Sequence, residues 1–421
     1  MKKFFVITLA TALCLALALP AMAKVTVGGM ATLDWSYLDR DEYRATTGGV
    51  TQGAQPTVDG FNQMNFIAPI TLNRLNAKYS SDDGALSAFI EVRGGGPDSA
   101  GTVTSSDPAT AAKQASQSAY LNDVYLNYAY ITWQITPNNN ITFGRQTTNF
   151  ARFIPNQWIG TQATTILGVG FGNVNHTTSR TGIKGYWRIS DMFGLVWGIY
   201  DSDVARGQPG VAVVTSFGTP VLLPPSETVL PRVDLALPIR FPWGRIEPSF
   251  TWAKNEFDQV AAGDDSYTCW GLSLGGDGSF GMFSFAAEVT WGQNLGASSY
   301  RGAEGDVPVL FFNTSSNTSQ IADGSSLAWF VDLGFKFGPS KVDVMYGSIE
   351  YENDEGPAAL PTLYKYTQTF YGISWAIGVA KGFTVRPELM FYDYDDAKQV
   401  GTRTSNAGKE WLLGLQFMLV F

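Results

Sequence analysis

The sequence predicts an all-β protein, a transmembrane antiparallel β-barrel, most simply of sixteen strands. Three observations lead there. Apolar and polar residues alternate with a period of two in segment after segment, as barrel strands require. The connections between segments are by turns short and long. The composition favours aromatic-rich strands joined by glycine turns: 27 Phe, 18 Tyr, 12 Trp and 45 Gly, with only 15% charged residues. No stretch beyond the leader approaches the roughly 20 apolar residues of a membrane helix.

The chain opens on an export leader at residues 1–23. Lys2 and Lys3 form its charged start, Val6–Leu19 its apolar stretch, and Ala21–Ala23 a small-x-small cleavage site. Cys14 lies inside the apolar stretch behind Leu13, which argues against a lipid anchor. Cleavage leaves 26 basic residues against 37 acidic ones, a net charge of about −11. That sign speaks against nucleic-acid binding. Only Cys269 remains, so an internal disulfide is excluded, and the single His176 excludes a histidine-rich metal site. No domain linker or fixed repeat interrupts residues 24–421, which read as one barrel domain.

The strands follow in order. In residues 24–38, Val25, Val27, Ala31, Leu33, Trp35 and Tyr37 share one face, with Thr26, Met30, Thr32, Asp34 and Ser36 on the other. Seven more fall near 64–80, 85–93, 120–136, 140–146, 179–190, 194–201 and 231–241. The remaining eight fall near 244–254, 265–275, 280–292, 327–338, 341–351, 367–380, 383–394 and 409–421. The row Leu327, Trp329, Val331, Leu333, Phe335 and Phe337 is apolar throughout, while the opposite face sets Asp332 and Lys336 among small residues. That division suits a lipid-facing exterior and a wet lumen better than a soluble sandwich.

Turn-forming residues fill the short connections, "SSDDG", "PNNN", "SDMFG", "FPWG", "GGDGSFG", "GPS" and "AKG". Eight long connections alternate with them, which predicts short periplasmic turns and long extracellular loops. Two loop segments, Val211–Phe217 and Val307–Phe312, are themselves β-prone. A hairpin hidden there would raise the count to eighteen without disturbing the short–long alternation.

The chain ends on "LLGLQFMLVF", where Leu413, Leu415, Phe417, Leu419 and Phe421 form an apolar row. Such a strand has to close against the first one, so that no sheet edge meets lipid.

The segment from Tyr120 to Gln146 pairs two strands through a tight polar turn and ends in Gly144-Arg145-Gln146. With the leader, sixteen strands, eight long loops and a terminal phenylalanine, it resembles the general porin superfamily of Gram-negative outer membranes. The resemblance covers the whole chain after the leader. It implies an outer-membrane, trimeric, water-filled channel for small hydrophilic solutes, with the third loop folded into the lumen. It also implies that Phe417, Leu419 and Phe421 form a tag for the barrel-assembly machinery, and that lipid and lipopolysaccharide surround the barrel. No cofactor is implied and no catalytic constellation is present.

The sequence departs from that family at the third loop. Residues 147–178 contain no Asp or Glu, one arginine (Arg152) and one histidine (His176). By alternation, basic lumen candidates are Arg74, Lys78, Arg93, Arg145, Arg180, Lys184, Arg188, Arg232, Arg240, Arg245 and Arg386. Acidic candidates are Asp34, Glu91, Asp234, Glu247, Glu288 and Glu388. A wall richer in arginine than in acid favours anions, unless loop carboxylates neutralise it. Two other readings stay open: a channel specific for one organic or inorganic anion, and a barrel whose loops act in surface binding. Acid clusters at Asp39–Tyr43, Tyr351–Gly356 and Asp393–Lys398 lack calcium-loop spacing and read as solvated charge. The glycines of "GVGFG" (Gly168–Gly172) let the third loop bend. Cys269 reads as packing.

Overall fold

The computed structural model describes residues 24–40, 43–44, 57–58, 61–67, 73–94, 124–155, 179–201, 213–215, 226–257, 266–295, 309–313, 318–353, 364–394, 397–399, 403–405 and 409–421. Sixteen strands form one closed ring. In chain order β1 is Lys24–Arg40, β2 is Phe61–Ile67 continued by Arg74–Ser80, β3 is Leu86–Gly94 and β4 is Val124–Thr136. Next come β5 (Asn139–Thr147), β6 (Ser179–Arg188), β7 (Gly194–Tyr200) and β8 (Ser226–Ala236 continued by Ile239–Phe241). Then follow β9 (Gly244–Phe257), β10 (Ser266–Phe280), β11 (Phe283–Gln293) and β12 (Gly324–Phe337). The ring is completed by β13 (Ser340–Asn353), β14 (Tyr364–Ala380), β15 (Phe383–Tyr394) and β16 (Lys409–Val420).

Each strand pairs antiparallel with its neighbours. Closure comes from β1 on β16, in register from Met30↔Val420 to Arg40↔Glu410. One residue further, Phe421 extends the seam: its N–H donates to the Gly29 carbonyl at 3.1 Å and its carbonyl accepts from the Gly29 N–H at 2.9 Å. Both described chain ends therefore lie at the end of the barrel where the connections are short.

The β-prone loop segments do not add barrel strands. Val213–Thr215 pairs in parallel with Leu310–Phe312, and Val309–Asn313 turns back on Thr318–Ala322. This three-stranded sheet stands apart from the ring. A parallel pairing between two different loops cannot be a barrel hairpin, so the count is sixteen and not eighteen.

One turn is corrected. Of "GGDGSFG", residues through Phe280 belong to β10, and the chain reverses only at Gly281, at φ 60°. The glycines there make room for rings. A Cβ on Gly278 would stand 2.9 Å from the Trp243 ring and 2.8 Å from that of Phe285. Trp243 stacks in turn on Phe241 and Phe280, with centroids at 4.9 and 5.3 Å.

Alternation sorts the side chains by face. Leu33, Ile90, Trp133, Phe143, Ile183, Leu235, Leu272, Trp291, Leu333, Val344, Trp375 and Leu413 are exposed on the outside, while Asp34, Glu91, Asp234, Glu288, Asp332 and Glu388 are buried on the inside. An apolar belt on the outside of the described strands and polar groups within is the reverse of a soluble protein. A closed barrel leaves no backbone edge to be satisfied by water, so this surface is built for lipid.

Candidate channel lining

The inner wall of β2–β9 carries most of the basic residues that alternation placed in the lumen. Several of them meet carboxylates on the same wall, in places two residues away on the same strand. Arg93 donates from Nε to Glu91 at 2.9 Å, and Arg74 approaches the same carboxylate at 3.7 Å. Asn127 also donates to Glu91, at 2.9 Å. Arg232 grips Asp234 with two bonds of 2.8 and 3.0 Å, both side chains wholly buried. Arg245 makes bonds of 3.0 and 3.2 Å to Asp277 on β10, and Arg152 pairs with Glu247. At the short-turn rim Arg188 meets Asp191 at 2.6 Å, both exposed.

The remaining candidates fall as follows. Lys78 is exposed on the lumen row of Arg74, and Arg180 is buried on β6. Lys184 donates to the Thr147 carbonyl at 3.0 Å. Arg240 lies over the Tyr186 ring at 5.4 Å. Arg145 is half-buried, with Nε donating to the Asn127 carbonyl at 3.1 Å. The ladder runs through Gly144 without a register shift and sets Arg145 opposite Ala129 and Thr181, on the row of Phe143 and not on that of Lys184 and Arg180. Arg386 is buried on β15, within electrostatic reach of Glu388, Asp343, Asp34 and Asp332. His176 lies outside the described residues, as do residues 156–178 of the third loop.

Opposite this wall, β11–β16 and β1 are acidic. Glu288, Asp332, Asp343, Glu388, Glu410 and Asp34 all point inward and are buried. Lys336, Lys341 (at 2.5 Å from Asp343) and Arg386 are basic residues on the same side. Among the described residues the inner wall is thus divided lengthwise into a sector with basic excess and one with acidic excess.

The expectation of small residues on the inner face of β12 fails at Phe330. That ring, with Met345, Ile349, Phe370, Met390 and Leu412, forms an apolar inner band over β12–β16. Phe150, Phe153 and Leu295 belong to the same cluster.

Residues that sequence reasoning missed lie just past β5. Thr148–Pro155, the first part of the third loop, turns onto the inner wall and crosses it. Asn149 N–H donates to Asp234 on β8 at 3.1 Å, and its side-chain amide to the Tyr200 hydroxyl on β7, also at 3.1 Å. Ala151 N–H reaches Ser249 on β9 at 3.2 Å, and Phe153 N–H reaches Glu288 on β11 at 3.2 Å. Between these anchors Phe150 covers Gly271 and Phe153 covers Gly275, both on β10. Arg245 sits over the Phe153 ring at 4.7 Å. The described start of this connection, Thr148–Pro155, therefore lies against the inner wall.

Phe417, Leu419 and Phe421 sit at the seam. Leu419 and Phe421 are exposed on the outer row and Phe417 is partly so, while Leu412 and Gln416 face inward and are buried. Of the acidic loop clusters, Asp39 accepts from Trp411 Nε1 at 2.8 Å and Asp393 pairs with Lys409 at 2.8 Å. Cys269 is buried, with the Asn255 amide 3.5 Å from its sulfur.

No family model and no curated protein matches the chain. Solved structures do. The outer membrane channel DcaP of Acinetobacter baumannii is 15% identical, with 96% of this chain and 98% of that one aligned at a TM-score of 0.62. The anion-selective porin from Comamonas acidovorans is 10% identical, over 95% of this chain and all of the other, at 0.55. The outer-membrane expressed OmpT of Vibrio cholerae is 10% identical, over 95% and 98%, at 0.51. At these identities the likeness is one of fold: a closed barrel of the outer-membrane porin type.

Proposed function

We propose that this chain, which has the porin fold, forms a water-filled channel in the bacterial outer membrane. Through it ions and small hydrophilic solutes diffuse passively, with anions favoured. The carrying observation is the basic sector. On β2–β9 the carboxylates Glu91, Asp234 and Glu247 stand among Arg74, Lys78, Arg93, Arg180, Lys184, Arg232, Arg240 and Arg245. Low-dielectric walls focus such an excess into the lumen and raise the local concentration of counter-ions. Because most of these arginines hold a wall carboxylate, the preference is modest and not absolute.

The leader carries the chain to the periplasm, Phe421 marks it for the assembly machinery, and lipid and lipopolysaccharide surround three copies in the membrane. Conductance in planar bilayers tests the reading: large, steady steps in groups of three are expected, and a silent bilayer sinks it.

A narrower reading is a channel selective for one anion, favoured by the lengthwise division of charge; saturable current block by that solute marks it. A surface-binding role draws on the sheet that ties Val213–Thr215 to Val309–Asn313, and it predicts the silent bilayer.

A further inference from the structure

We propose that the β7–β8 and β11–β12 connections are joined into one strap over the barrel mouth on the long-connection side. Asn294 is the positioning residue at its foot, and the strap limits the size of solute admitted. The inference rests on the porin reading for its effect on passage, though not for the strap itself.

At the end of β11 a side chain diverts the ladder. Directly opposed residues of an antiparallel pair can exchange two main-chain bonds. Asn294 N–H still donates to the Gly324 carbonyl at 2.9 Å, but the Gly324 N–H donates to Asn294 Oδ1, also at 2.9 Å. The side chain thus stands in for the Asn294 carbonyl, and the backbone leaves the wall at φ 55°, a region asparagine tolerates better than most residues. The same side-chain amide donates to the Thr268 carbonyl on β10 at 3.0 Å and to Asp323 at 2.7 Å. Asn294 is wholly buried, so these bonds are not exchanged for water without cost. One residue therefore clasps β10, β11 and β12 and holds both feet of the connection together.

The chain leaves the wall inward. Leu295 is wholly buried over the inner face of β10 and β11: a Cβ on Gly292 would stand 2.5 Å from its Cδ1, and one on Gly271 3.2 Å from its Cδ2. The returning foot is as closely tied. Only Asp323 separates the strand Thr318–Ala322 from Gly324 of β12. That strand pairs with Val309–Asn313, whose other edge takes Val213–Thr215 of the β7–β8 connection in parallel.

Four strand steps separate the two connections around the ring. At about 4.8 Å between neighbouring strands, their roots stand roughly 20 Å apart along the wall. A span between two points of a ring runs inside it, so the paired segments overhang the lumen above β8–β11. A parallel pair has no tight turn to hold it together. It persists only where both segments are delivered to one place, and the Asn294 clasp does this for the β11–β12 side.

The test uses the full barrel refolded in lipid vesicles. Val213→Cys with Leu310→Cys sets two thiols on Cα partners of the parallel pair, within disulfide reach, while Cys269 is buried. Mild oxidation should join them, read by mass spectrometry of the linked peptides, and the locked barrel should pass sugars as the unlocked one does. Phe311→Pro, in the central strand of the three, removes a ladder bond. Cross-linking should then be lost, and vesicle swelling in raffinose relative to glucose should rise several-fold. Asn294→Ala should move both readouts the same way. Asn294→Gly, which keeps the left-handed turn but not the clasp, should move them less. Thiols that fail to join in the parent barrel would overturn the proposal, as would an unchanged swelling ratio in Phe311→Pro. If the Asn294 variants fail to assemble, Phe311→Pro carries the comparison, since its strand stands apart from the ring. A wild type that admits neither sugar while the thiols still join would remove the channel reading and leave the strap standing.

Discussion

Replacing Asp234 by alanine should be among the most damaging single changes to this barrel. Asp234 and Arg232 are both at 0% exposure. The carboxylate receives Arg232 twice, Thr251 Oγ1 at 2.8 Å and Asn149 N–H at 3.1 Å. Removing one member of a buried pair costs about 3–5 kcal/mol, because the remaining charge stays desolvated. The Thr251 hydroxyl and Asn149 N–H lose an acceptor as well, at about 1 kcal/mol each by the net worth of a hydrogen bond. Asp234→Ala should therefore cost about 5 kcal/mol. Replacing both charges, Arg232→Met with Asp234→Leu, leaves only the two orphaned donors and should cost about 2 kcal/mol, less than either single change. Urea unfolding of vesicle-refolded barrels, followed by tryptophan fluorescence, gives these differences from the midpoints. An Asp234→Ala barrel within about 1 kcal/mol of wild type would refute the reasoning. So would a double variant as unstable as the two singles combined.

Three further expectations follow from single positions. Deleting Phe421 removes both backbone bonds to Gly29 and the ring against it; inserted barrel should fall while export continues, and wild-type levels in the membrane fraction would contradict this. Gly144→Ala should lower stability by about 1–3 kcal/mol, since φ 118° suits only glycine and the new Cβ would meet the Ala129 carbonyl at 2.3 Å; an unchanged urea midpoint would count against it. In the exposed β2–β3 turn, Asp83 accepts from Ser81 Oγ at 2.7 Å and from Ala85 N–H at 2.9 Å, which holds its pKa below the ordinary 3.8. That contribution to the turn is present above the unfolded value and lost as pH falls through the folded one. An NMR titration with its midpoint at or above the ordinary value would contradict it.

The strand pattern was legible because each strand reports its own two faces. Rows such as Leu327–Phe337 outside and Asp34 or Glu388 inside are local statements that need no knowledge of neighbours. Glycine was ambiguous by contrast. Gly275 and Gly278 look like turn residues in sequence, and they act as notches because Phe153 and Trp243 arrive from elsewhere. The ion pairs were half legible. Arg93 with Glu91, Arg232 with Asp234 and Lys341 with Asp343 stand two apart on one strand, a spacing that places both charges on one face. That spacing is the signal that would have found the wall partners. The docking of Thr148–Pro155 left no such trace, since Phe153 meets Gly275 and Glu288 across more than a hundred residues of chain. The inward Phe330 and Met345 were hidden for a related reason: alternation tells which way a residue points, not what fills the space it points into.

The zero-current potential of the reconstituted barrel across a potassium chloride gradient tests the central claim most directly. A basic sector that outweighs its wall carboxylates predicts a potential of the sign that marks chloride as the more permeant ion, shrinking as salt screens the wall. A potential of the opposite sign, marking potassium, would contradict the account.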